Sequence, residues 1–181
     1  MRQDQLEGLY ERWGGTPNTL TTTWTPATNP NPVFPWLVTL VQGQPFDLDD
    51  SAFPAIFLLA RDSKEHRQAA QKKWIDYELE ALLVHQAPPM AASGDRASAL
   101  LTTFYGWLDA IGTQIRGTTT DYAAKILATQ AHPDGIWDPT TGNASIKFGE
   151  VFTIKEEHWR LETYLVLAAD IRIVSTEQVN A

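Results

Sequence analysis

The chain has 181 residues, with 14 Lys+Arg against 22 Asp+Glu and a formal net charge of -8. That length fits one domain over 1–181, able to bury about two thirds of its unfolded surface without a metal or disulfide staple. No apolar run approaches the ~18 residues of a membrane span, the acidic balance disfavours bulk binding of nucleic-acid phosphates, and the lack of cysteine removes thiolate and disulfide chemistry together. The N-terminus, Met1-Arg2-Gln3-Asp4-Gln5-Leu6, has no apolar core of a secretory signal, so synthesis in a cytoplasm is expected. The glycosylation pattern at Asn143-Ala144-Ser145 is then a chance match.

Leu6, Leu9, Tyr10 and Trp13 recur at i, i+3, i+4 and i+7, which predicts a first helix stopped by Gly14-Gly15. Residues 14–45 read as an extended loop rich in Thr, Pro and Asn. Inside it an edge strand is expected around Thr21–Trp24 and a short strand over Trp36–Val41, before a turn at Gln42–Pro45. Ala55–Ala60 is a short apolar run bounded by Pro54 and then by charge, the pattern of a buried strand. Residues 61–72 are polar and read as a loop or hairpin connection.

From Lys73 to His85 the chain alternates. Ile75, Tyr77, Leu79, Ala81 and Leu83 share one face, and Trp74, Asp76, Glu78, Glu80 and Leu82 the other. A helix over 66–84 competes, since its residues favour helix, but period two persists for ten residues and predicts a strand. Pro88-Pro89 ends it. Ser93 or Asp95 is a candidate N-cap for the best helical stripe in the chain: Ala97, Leu100, Leu101, Phe104, Leu108, Ile111 and Ile115. A short helix over Asp121–Gln130 and a turn-rich loop over His132–Asn143 follow. Ser145–Phe148 and Glu150–Ile154 alternate around Gly149, a candidate bulge. Leu161–Val174 reads as one long strand, or two with a bulge near Ala168-Ala169, and residues 175–181 as a frayed tail.

Chemistry-bearing motifs are scarce. His66, His85, His132 and His158 form no HExxH or HxH pattern, and no metal site is expected. His132, Asp134 and Asp138 read as a polar turn in which Trp137 anchors the loop. Asp47, Asp49 and Asp50 lack the Gly and the terminal Glu of a calcium loop. There is no GxSxG, P-loop or GxGxxG, so neither a cofactor nor enzymatic activity is expected. Asp76, Glu78 and Glu80 would stand about 6–7 Å apart along a strand, a glycosidase-like spacing, but acids on such a face are usually just solvated. Seven Trp is a high count for this length, and it suits either a second packing layer or a subunit interface.

The segment Asp49-Asp50-Ser51-Ala52-Phe53-Pro54-Ala55-Ile56 opens an apolar strand, and Trp74-Ile75-Asp76-Tyr77-Glu78-Leu79-Glu80 forms the next. A helix, a variable region and a terminal alternating pair complete an order that, over roughly residues 46–175, resembles the tail terminator (tail completion) proteins of long-tailed bacteriophages. The resemblance implies an α/β (α+β) subunit with a mostly antiparallel sheet, packed by one long and one or two short helices. It implies a virion location at the tail end or neck after assembly in the host cytoplasm, in a homo-oligomeric ring, usually a hexamer. Such a ring binds the last ring of tail-tube protein, ends tube growth and offers a surface to the head connector or neck, with DNA passing through unbound. Trp74, Trp107 and Trp137 are then candidate interface residues, and Asp76, Glu78 and Glu80 candidate channel-facing ones. Alternative readings are a head-closure or adaptor protein, or a small α/β ligand-binding domain or enzyme.

Overall fold

The computed structural model describes residues 2–69, 72–87, 94–116, 145–159 and 162–180. The fold is α+β: a six-stranded mixed sheet with two helices on one of its faces. In chain order the elements are α1 (Arg2–Arg12), β1 (Thr21–Thr23), β2 (Thr39–Gln42), a 3-10 turn (Asp50–Ala52), β3 (Ala55–Ala69), β4 (Lys72–Ala87), α2 (Gly94–Arg116), β5 (Ser145–Trp159) and β6 (Glu162–Asn180). The spatial order is β1-β2-β3-β4-β6-β5. Only the β2–β3 pair is parallel among the described strands; the others are antiparallel.

The alternation in β4 is what makes the layers. Leu79, Ala81 and Leu83 stand opposite Ala60, Leu58 and Ile56 of β3 on one side and Ile173, Ile171 and Ala169 of β6 on the other. Directly opposed residues share a face, so these positions form one continuous apolar surface. Leu40 of β2 extends it. Both helices lie on it: Leu6, Leu9, Tyr10 and Trp13 from the first, Phe104, Leu108 and Ile111 from the second. Each such buried side chain contributes about 1.5–3 kcal/mol. Tyr77 is buried as well and Ile75 half-buried, as the period-two pattern requires. The opposite face carries a smaller cluster of Val41, Ala55, Phe57 and Leu59, covered by Leu48 and Phe53 from the segment before β3.

The end of α1 is built by its glycines. Gly15 N–H donates to the Tyr10 carbonyl (2.9 Å) and Gly14 N–H to the Glu11 carbonyl (3.0 Å), with Gly14 at φ 95°. This pair of bonds is the Schellman arrangement, and a left-handed φ at Gly14 is what it needs. A Cβ at Gly15 would run into the Tyr10 ring. The Thr-rich loop is tied back to that same ring, whose hydroxyl meets Thr19 Oγ1 (3.0 Å) and Thr22 Oγ1 (2.7 Å). Asn31 closes the other end of the loop. Its Nδ2 donates to the Trp13 carbonyl (2.9 Å), and its Oδ1 accepts from the N–H groups of Val33 and Phe34 (2.7 Å each).

Several expectations are corrected. Residues 61–69 are not a connection: β3 continues to Ala69, with irregularities at Ala60/Asp62 and Arg67/Ala69. Period two in β4 offers a backbone ladder along its whole length, and polar residues pair in it as readily as apolar ones once they face solvent. For the same reason the expected tail at 175–181 is strand as far as Asn180, with Ser175–Asn180 opposite Lys72–Tyr77. The β4–β6 ladder runs unbroken through Ala168-Ala169, so β6 is one strand; the irregularity lies on β5 between Phe148 and Phe152, around Gly149. Strand β2 starts at Thr39 rather than Trp36, because a turn closes Leu37 N–H onto the Phe34 carbonyl (2.8 Å). The helix expected at 121–130, the loop at 132–143 and the candidate cap Ser93 lie outside the described residues; Asp95 falls inside the first turn of α2.

Asn31 is 1% exposed and satisfies three main-chain groups at once. Asn31→Ala leaves those groups without their partner, and each buried orphan costs about 1–3 kcal/mol. A loss of about 3 kcal/mol or more is expected, read as a lower urea midpoint by circular dichroism.

Candidate functional site

Four tryptophans are described with their surroundings, and three of them form a seam. Trp13 on α1 meets Phe34 edge-on at 5.3 Å; Phe34 meets Trp36 at 5.4 Å; Trp36 stacks on Trp107 of α2 at 4.9 Å with an interplanar angle of 16°. Trp107 also receives Phe104 at 6.3 Å and His85 of β4 edge-on at 5.1 Å. The seam joins α1, the Pro-rich loop, α2 and the sheet. Trp107, a candidate interface residue, therefore has intramolecular partners on two sides and remains half-buried. Trp24 is half-buried against the same core. Trp74 takes a register position on β4 opposite His66 and Gln178. Trp137 lies outside the described residues.

The three acids of β4 have separate surroundings. Asp76 stands opposite Lys64 and Thr176 in register, and Glu78 is exposed. Glu80 is buried and is held by Arg61 through two bonds, one from Nε and one from Nη2 (2.6 Å for the latter). The carboxylate side is 9% exposed and the guanidinium side 50%. The bidentate fork is the geometry that suits this pair. The Glu80 hydrogen bond raises the Arg61 pKa above its ordinary value, against a smaller lowering by burial, with further support from the charges of Glu80 and Asp170. Because the arginine is half in water, this pair is a modest contributor to stability. It sits at the irregularity of β3 between Ala60 and Asp62, past the last β2 partner, Leu58.

Sequence reasoning missed two features. The first is the Arg61–Glu80 pair, since the bulge that brings Arg61 over Glu80 has no signature in the polar run that follows Ala60. The second is a set of exposed apolar side chains, Leu20, Phe46 and Tyr105. Phe46 is 53% exposed and leans edge-on against Phe57 at 6.1 Å, within the acidic segment Phe46–Asp50. Among the described residues no three metal-type ligands come together. Among the described residues the arrangement is one of packing and pairing.

No protein-family model and no characterised relative matches this chain.

His85 is the titratable group within the seam. Its Nδ1 is buried without a partner among the described residues, and burial lowers its pKa from the ordinary value of 6.5. A lowered histidine pKa means that the unfolded chain takes up the proton first. Its stabilising effect is thus complete above about pH 6.5 and falls as pH drops through that value towards the folded pKa. Between pH 7.5 and 5.5, urea unfolding should lose stability with a slope of up to about 1.4 kcal/mol per pH unit from this group. His85→Phe, which keeps an aromatic ring against Trp107, should flatten that dependence; an unchanged slope would assign it elsewhere.

Proposed function

We propose that this chain is a structural subunit of a phage tail end, a tail terminator that caps the tail tube as a homo-oligomeric ring and presents a surface to the neck. The observation that carries the proposal is the placement of the two quoted segments. Asp49–Ile56 leads into β3, and Trp74–Glu80 lies on its hairpin partner β4, with α2 next in the chain and the β5–β6 pair last. That is the order and layering the resemblance implies. A fold does not fix a function; the support lies in the order of these elements along the chain.

Further support comes from the surface. Among the described strands the sheet continues as three, Ser63–Ala69, Lys72–Tyr77 and Ser175–Asn180, past the last pairs of β2 and β5. Six residues of strand span about 20 Å, and such an extension offers main-chain edges and side chains to neighbours. A closed ring requires two different complementary patches per subunit. The half-buried Trp107, the register position of Trp74 and the exposed Phe46 are candidate contributors, and the exposed Glu78 a candidate for the channel wall. An acidic wall would repel the DNA backbone and keep a passing duplex mobile. Among the described residues no helix is long and apolar enough to cross a membrane.

The test is electron microscopy of the purified chain and of virions that carry it. The expected result is a ring of several copies, seated between tail tube and head connector. A single copy per virion, or a position away from the tail end and neck, would overturn the proposal.

A further inference from the structure

On the sheet face away from the helices, the chain crosses from β2 to β3 through the segment Gln44–Phe53. Both ends of the crossing are fixed. Gly43 N–H donates to the Leu58 carbonyl (2.9 Å), and the Pro54 carbonyl accepts from the N–H groups of Val38 (3.1 Å) and Thr39 (3.3 Å). Gly43 stands at φ 134°, a conformation that side chains resist, and a Cβ there would meet nothing within 4 Å.

Between those ends little holds the segment down. None of its residues is buried, whereas α1 alone buries Leu6, Leu9, Tyr10 and Trp13 on the other face. Leu48 and Phe53 are half-buried against Val41, Ala55, Phe57 and Leu59, and Phe46 touches Phe57 edge-on while 53% exposed. Among the described residues the main chain of the segment makes one hydrogen bond within itself, from Ala52 N–H to the Asp49 carbonyl (2.8 Å), and none to the sheet. One side-chain bond crosses over: Gln86 Nε2 of β4 donates to Asp50 Oδ1 at 3.0 Å, in an exposed position. Few buried contacts and a main chain turned to water mark the parts of a protein that open far below the free energy of global unfolding.

We infer that Gln44–Phe53 is a strap, latched by the Asp50–Gln86 bond, that opens between Gly43 and Pro54 while the sheet and both helices stay folded, and so uncovers the apolar cluster beneath it. Phe46, Leu48 and Phe53 all rest on that one cluster, so the segment lifts as a unit. Its main chain is already hydrated, and opening gives up only part-exposed apolar contacts and one exposed hydrogen bond. The ladder stays intact, because Thr39–Gln42 pair with Thr21–Thr23 and with Ala55–Leu58 and not with the strap. Neighbouring residues of β2 then differ: Val41 faces the strap cluster and Leu40 the helices. The strap is a property of the single chain and does not rest on the tail-end reading.

The chain has no cysteine, so one introduced thiol reports its own surroundings. The experiment measures the rate at which a disulfide reagent labels Val41→Cys and Leu40→Cys in the full chain at low concentration, each corrected for the variant's own stability to urea. Both native side chains are at most 2% exposed. Ala55→Cys and Ala81→Cys, matched changes at two fully buried sites on the strap and helix faces, form a second pair that decides the matter if the first does not fold. The strap-side thiol should label about tenfold faster or more, at a rate nearly flat in dilute urea because a strap exposes little surface. Adding Gln86→Ala should speed the strap-side thiol by about threefold and leave the helix-side thiol unchanged. Equal rates on the two faces, or a strap-side rate with the full urea dependence of unfolding, would overturn the inference. A strap-side rate that ignores Gln86→Ala would overturn the latch.

Discussion

One buried amide organises the best-packed part of this molecule. Asn31 takes the carbonyl of Trp13, just past the first helix, on one side and two consecutive N–H groups on the other. It converts a loop of threonines and prolines, with no ladder of its own, into a fixed bracket. From that bracket Phe34 and Trp36 project between the two helices, and Trp36 reaches Trp107 by direct stacking. Remove the bracket and the two helices keep their contacts with the sheet but lose the seam that holds them to each other. Buried polar groups are costly unless satisfied; here the satisfied group is what makes a non-repetitive segment specific.

The sheet answers a different need. Its central strand, β4, is apolar on one face over half its length and mixed on the other; among the described residues one face takes two helices and the other a short covering segment. Glu80 is drawn into a bidentate pair where β3 departs from its regular register. The tail-end function is proposed on the order of these elements, in a sheet whose described helices lie on one face.

How much of this was legible in the sequence depends on how local each signal is. The stripe Leu6, Leu9, Tyr10, Trp13 and its glycine stop are local, and they give α1 to within a residue or two. So is the alternation from Ile75 to Leu83, which separates strand from helix although the residues favour helix. Strand length was not legible beyond the apolar part. Arg61–Ala69 and Ser175–Asn180 carry no alternating pattern, and they are strand because β4 lies between them as a template. The partner of Glu80 was invisible for the same reason: it depends on a register irregularity between two strands. The role of Asn31 was hidden as well, since Asn among prolines reads as turn material until the helix end it meets is known.

The claim on which the functional account turns is that this chain stops a polymer. The most direct measurement is tube length by electron microscopy, with the cognate tail-tube protein polymerising in the presence of increasing amounts of this chain. The account predicts that sub-stoichiometric amounts shorten the tubes and that the chain is found at tube ends. Tubes of unchanged length with the chain unbound, or bound uniformly along their sides, would contradict it.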